Sequence, residues 1–100
     1  MNLQILKNLG WELQDSWNNR DFYVFEGATI AVHLYDDSVY YVNSSGHIKY
    51  DYEFDESTIK QYTAIIKRFN DIKEHPNQYT LEQYNTALKL RNNFYKLLSK

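Results

Sequence analysis

The sequence contains no cysteine. Disulfides, thiolate nucleophiles and thiolate metal sites are therefore excluded, which fits a reducing compartment. It also lacks any apolar run approaching the roughly 20 residues that a membrane-spanning helix needs. Met1-Asn2-Leu3-Gln4-Ile5 shows neither the basic stretch nor the apolar core of a secretory leader, so a cytoplasmic protein is expected. No overall basic excess is present either: the net charge is −2, whereas broad phosphate neutralisation needs a strongly basic surface. Catalytic motifs, metal-ligand spacings, internal repeats and low-complexity tracts are missing as well. The sequence thus points to no reaction, no metal and no cofactor.

What is present is a globular composition. Hydrophobic residues make up 43% and charged residues 24% of 100 residues, enough for one domain with one core. The charge is unevenly divided. Residues 1–56 carry ten acids and three bases, while residues 57–100 carry three acids and eight bases.

The division follows a change of periodicity. Leu3, Ile5, Leu6 and Leu9 have helical spacing, with Asn2 as a cap and Gly10 as the stop, so a short helix is expected over 3–9. Trp11, Leu13 and Trp17 precede a good turn at Asn18-Asn19, and a strand is expected over 11–16. Strand signals then recur at Phe22–Glu26, Ala28–Tyr35, Val39–Asn43 and His47–Phe54, separated by turns short enough for hairpins. In the second of these, Ile30, Val32 and Leu34 share one parity and are expected in the core. In the last, Ile48, Tyr50, Tyr52 and Phe54 are expected to face inward, with His47, Lys49, Asp51 and Glu53 in water.

Asp55-Glu56-Ser57 caps and charges the start of a helix expected over 57–73, whose apolar stripe includes Ile59, Tyr62, Ile66 and Phe69. His75-Pro76 ends it. Thr80 and Gln83 fit a capping box opening a third helix that runs to about Leu98. That helix has two apolar lines, and the one containing Leu90, Phe94 and Leu97 leaves room for a homodimer. The fold class expected is α+β: a short N-terminal helix, an antiparallel sheet of four or five strands, and two C-terminal helices packed on one face.

Candidate chemistry is sparse. His33, His47 and His75 lack metal-ligand spacing and read as solvent-face histidines. Ser44, Ser45 and His47 lie close in sequence, but a turn needs Ser and Gly for its backbone, and triads are assembled by geometry with an orienting acid. The acids Asp36, Asp37, Asp51, Glu53, Asp55 and Glu56 gather near the sheet, and a patch of one sign is chiefly a recognition feature. Tyr35 and Tyr41 are expected to join them, because exposed tyrosine gives contact area at low entropy cost.

Leu6-Lys7-Asn8-Leu9-Gly10-Trp11-Glu12-Leu13 followed by strands resembles the opening of HicA-type toxins, small RNA-cleaving proteins. The resemblance covers barely the first third. Where that family has a Gly-Ser-His stretch entering its second strand, this chain has Asn19-Arg20-Asp21-Phe22. In size, acidity and richness in Tyr and Asn the whole chain is similar to phage-encoded inhibitors of bacterial defence, including anti-CRISPR proteins. That resemblance implies a non-enzymatic, protein-binding inhibitor that occupies the basic nucleic-acid groove of a nuclease-like target. Two alternatives stand beside it. One is a nucleic-acid-binding protein using Lys60, Lys67, Arg68, Lys73, Lys89, Arg91 and Lys96 of the basic helical half. The other is an antitoxin or immunity-like partner of a basic toxin.

Overall fold

The computed structural model describes residues 2–98. Its elements are α1 (Gln4–Leu9), β1 (Glu12–Trp17), β2 (Arg20–Phe25), β3 (Ala28–His33), β4 (Val39–Val42), β5 (Ile48–Phe54), α2 (Glu56–Glu74), a 3-10 turn (Pro76–Gln78) and α3 (Leu81–Leu98). The five strands form one antiparallel sheet in chain order. A short N-terminal helix, a five-stranded meander and two C-terminal helices make this an α+β protein, as expected.

Local chemistry explains the turns. Asn18-Asn19 (φ 53° and 62°) and Glu26-Gly27 (φ 46° and 88°) are two-residue links with both positions left-handed, the geometry that matches strand twist. Gly10 (φ 103°) ends α1, and a Cβ there would lie 3.0 Å from the Phe25 ring, so only glycine fits.

The two long helices are capped as their sequences imply, whereas α1 has Leu3 at its N-cap position and Asn2 Oδ1 accepts from Gln4 N at 3.0 Å from one residue before it. Asp55 accepts from the Thr58 N–H at 2.7 Å. Gln83 Oε1 accepts from Thr80 N at 2.8 Å while Thr80 Oγ1 accepts from Gln83 N at 3.1 Å, a reciprocal capping box. Thr80→Ala should therefore lower stability by about 1 kcal/mol. A urea titration followed by circular dichroism measures this, and an unchanged midpoint would show that the box does not hold α3.

Residues opposite one another across antiparallel strands share a face. The inner face presents Tyr23, Ile30, Val32, Val39 and Phe54 to Leu6, Trp11, Ile59, Tyr62, Ile66, Phe94 and Leu98. At its centre Tyr62 is stacked between Phe54 and Phe94, with ring centroids 5.5 and 5.3 Å away and planes within 9° and 7°. Trp11 Nε1–H donates to Thr63 Oγ1 at 2.9 Å, and that hydroxyl donates to Ile59 O at 2.6 Å, so these buried polar atoms are satisfied.

Three expectations about faces are corrected. β3 ends at His33, so Leu34 falls in the following turn and is 47% exposed rather than core. Phe94 belongs to the core and is not part of a spare stripe, although Leu90 and Leu97 of α3 stay exposed. The alternation in β5 breaks. Glu53 pairs with Tyr40, but Tyr41 pairs with Lys49, leaving Tyr50, Asp51 and Tyr52 opposite a single link. An odd number of extra residues reverses the parity. Tyr52 and Phe54 accordingly face inward, Ile48 pairs with outward-facing Val42, and Tyr50 lies against outward-facing Tyr40 with centroids 5.0 Å apart.

Candidate functional site

Val39 pairs with Phe54. The β3–β4 turn and the start of α2 therefore lie at the same end of the sheet, and Asp36, Asp37, Asp55 and Glu56 gather there. Each has a defined local role or conformation. Asp36 Oδ1 accepts from Ser38 N at 3.0 Å, and hydrogen bonding from Ser38 holds its carboxyl below the usual range. Thr58 does the same for Asp55. Glu56 pairs with Lys60 at 3.0 Å, and Asp37 occupies the left-handed region (φ 59°). Glu53 stands exposed on β5 beside Tyr40, and Asp51 is exposed within the bulge.

The two tyrosines part company. Tyr35 is 78% exposed at the acidic end, its ring 5.3 Å from that of His33. Tyr41 pairs with Ile30 on the inner face and packs on Tyr62 and Tyr95, with centroids 6.2 and 6.3 Å away. Burial raises its phenol pKa. Tyr41 therefore belongs to the inner packing, two residues along β4 from Val39 at the acidic end, and does not join Tyr35 at the surface.

The histidines do not converge. His33 lies at the acidic end with Nδ1 3.4 Å from Asp36 Oδ1, without forming a hydrogen bond. His47 lies at the opposite end, where Asn43 Oδ1 accepts from the backbone N–H groups of Ser45 (3.0 Å) and His47 (2.9 Å). Ser44, Ser45 and His47 thus belong to a turn held by its own backbone. Among the described residues no three His, Asp or Glu side chains gather as a metal site. Several bases of the helical half are engaged: Lys60 with Glu56, Arg68 over Tyr79 at 4.8 Å, and Arg91 between Phe69 (4.5 Å) and Tyr95 (5.0 Å).

The outer face of the sheet is the feature that sequence reading missed. No helix covers it, yet its rows are apolar. Val24, Thr29, Val42 and Ile48 form one row, and Phe22, Ala31 and Tyr40 form the next. Beyond them lie Trp17, Arg20 and His33, with the Arg20 guanidinium 5.5 Å from the Tyr50 ring centroid. A groove of about 600 Å³ takes in Trp17, Phe22 and Val42 of this face and also Tyr41, Tyr62 and Tyr95 of the inner side, so it is not confined to the outer face. The signal was present in Phe22-Tyr23-Val24-Phe25 and in Tyr40-Tyr41-Val42, where both parities are apolar, as in strands covered on both faces.

No family model, curated protein or solved structure matches the chain, so function is read from the geometry alone. Among the described residues, no helix is long and apolar enough to cross a membrane.

Proposed function

We propose that this chain is a non-enzymatic, cytoplasmic protein-binding inhibitor. Its acidic end occupies a basic, nucleic-acid-binding groove of a bacterial defence protein, as in the phage-encoded anti-CRISPR-like inhibitors it resembles in size and composition. The observation that carries this reading is the gathering of Asp36, Asp37, Asp55 and Glu56 at one end of the sheet, with Asp51 and Glu53 exposed on the strand that runs into it and Tyr35 exposed beside them. Carboxylates fixed by their own turn and cap are preorganised, so little ordering entropy opposes their use against a cationic groove. Negative charge gathered in this way also steers encounter with a basic partner, and faster association at low salt is the expected kinetic mark. Lys60, Arg68 and Arg91 are each held by a neighbouring carboxylate or ring, and with a net charge of −2 the chain suits a basic protein partner better than nucleic acid.

Asp51 and Glu53 serve as the test pair, because both are exposed and neither caps a helix or closes a turn. A pull-down from bacterial lysate compares wild type with Asp51→Lys/Glu53→Lys, both confirmed as folded by circular dichroism. The partner captured by wild type should be displaced by duplex DNA. The double variant should bind it at least about tenfold more weakly. Equal recovery of the same partners by both proteins would overturn the acidic-surface reading.

A further inference from the structure

We propose that the outer face of the sheet is the docking site for a second copy of this chain, the two sheets packing face to face about a two-fold axis. The row of Trp17, Arg20 and His33 brings this face up to the acidic end, whereas Asp36, Asp37, Asp55 and Glu56 lie in the turn and helix start beyond its rows.

The first ground is the character of the face. Its two central rows, from Val24 to Ile48 and from Phe22 to Tyr40, carry no charge, while Glu12, Asp15 and Glu53 stand at its strand edges. An antiparallel sheet left in water normally alternates apolar-in and polar-out. An apolar centre with a charged rim is the pattern of a protein contact, and homodimer contacts are the more apolar kind. A basic groove fits the acidic end but would find nothing to pair with in these rows.

Size is the second ground. Five strands about 4.8 Å apart and about six residues long present a footprint of roughly 20 Å by 20 Å. Side-chain relief enlarges this to on the order of 1,000 Å² summed over two copies, the lower bound for a specific interface. The most exposed aromatics on the face, Trp17 (68%) and Tyr50 (50%), have the residue types that dominate interface energies.

Charge supplies the third ground and selects the symmetry. Arg20 stands at one end of the face, opposite Trp17, and Glu12 stands towards the other end, opposite Val24. A two-fold axis lying in the contact plane and running across the strands reverses strand direction. It therefore brings Arg20 of each copy to the Glu12 end of the other. The Arg20 guanidinium donates from Nη1 to Asn18 O at 2.8 Å and lies 5.5 Å from the Tyr50 ring centroid, so its charge is held at this end of the outer face.

Sedimentation velocity at about 100 µM should give twice the 12.1 kDa chain mass. Trp17→Glu/Tyr50→Glu, two exposed positions whose replacement spares the core, should give a folded monomer. Leu90→Glu/Leu97→Glu on α3 should leave the dimer intact. Arg20→Glu should weaken association by about tenfold, and adding Glu12→Arg should restore it. A monomeric wild type overturns the proposal, as does a dimer that survives the outer-face pair or dissolves with the α3 pair. Failure of the reversed charges to restore association overturns the two-fold arrangement. Because none of these readouts uses the inhibited partner, their failure is distinct from failure of the inhibitor reading.

Discussion

Replacing Trp11 by alanine should sharply destabilise the protein. Its indole is 2% exposed, packs on Phe25 and Tyr62 at centroid distances of 5.4 and 6.1 Å, and donates to Thr63. Truncating a buried aromatic of this kind costs about 3–5 kcal/mol, from lost transfer energy and from the cavity left behind. A domain of this size has a total stability of about 5–15 kcal/mol, so the loss takes a large part of it. Leu90→Ala is the control, because that side chain is 55% exposed and surface truncations usually stay within about 0.5 kcal/mol. Urea titrations followed by circular dichroism separate the two. Equal midpoints would mean that the N-terminal segment does not dock on α2 as described.

Strong alkali should unfold the protein cooperatively. Burial raises the phenol pKa of Tyr62 above its ordinary value, with neighbouring Tyr95 and Tyr41 adding to the effect, and burial likewise raises Tyr23 and Tyr41. The native state holds these protons more tightly than the unfolded chain does. The stability they supply is therefore complete below about pH 10 and is lost as pH rises from there towards the folded pKa values. Tyrosinate absorbance recorded alongside circular dichroism should show two groups among the ten tyrosines. Tyr23, Tyr41 and Tyr62, whose phenol pKa values burial raises, should form the later group and ionise only as the fold is lost. Tyr62→Phe should flatten the alkaline fall. Ionisation of all ten with the fold intact would refute the packing around Tyr62.

How much of this was legible in the sequence varied with the range of the interactions. The Asn18-Asn19 turn, the Asp55 cap and the Thr80/Gln83 box are set within four residues, and each was readable. The meander was readable too, because its turns are too short for anything but neighbouring strands. The faces of β5 were not readable. Ile48, Tyr50, Tyr52 and Phe54 alternate cleanly, but their orientation depends on how Tyr40 and Tyr41 pair, and no local signal marks a three-residue bulge. The same dependence hid the place of Tyr50 on the outer face, although the apolar runs of β2 and β4 already marked that face in the sequence. Leu34 was misjudged because the Asp36–Ser38 turn stops β3 one residue before it. The acidic end could be anticipated from hairpin topology, whereas the assignment of Tyr41 to the inner packing needed the register.

The core also depends on the last turns of α3. Leu6 and Trp11 lie near the start of the chain, while Phe94 and Leu98, which close over the same cluster, come near its end. During synthesis the complete meander therefore emerges from the ribosome with both faces bare, before either long helix exists to cover one of them. A nascent chain in that state shows two apolar surfaces and a free β1 edge at once, the conditions under which holding chaperones are engaged and misassembly competes with folding. Translation that slows after Phe54 prolongs this exposure, whereas a pause before Arg20 costs little.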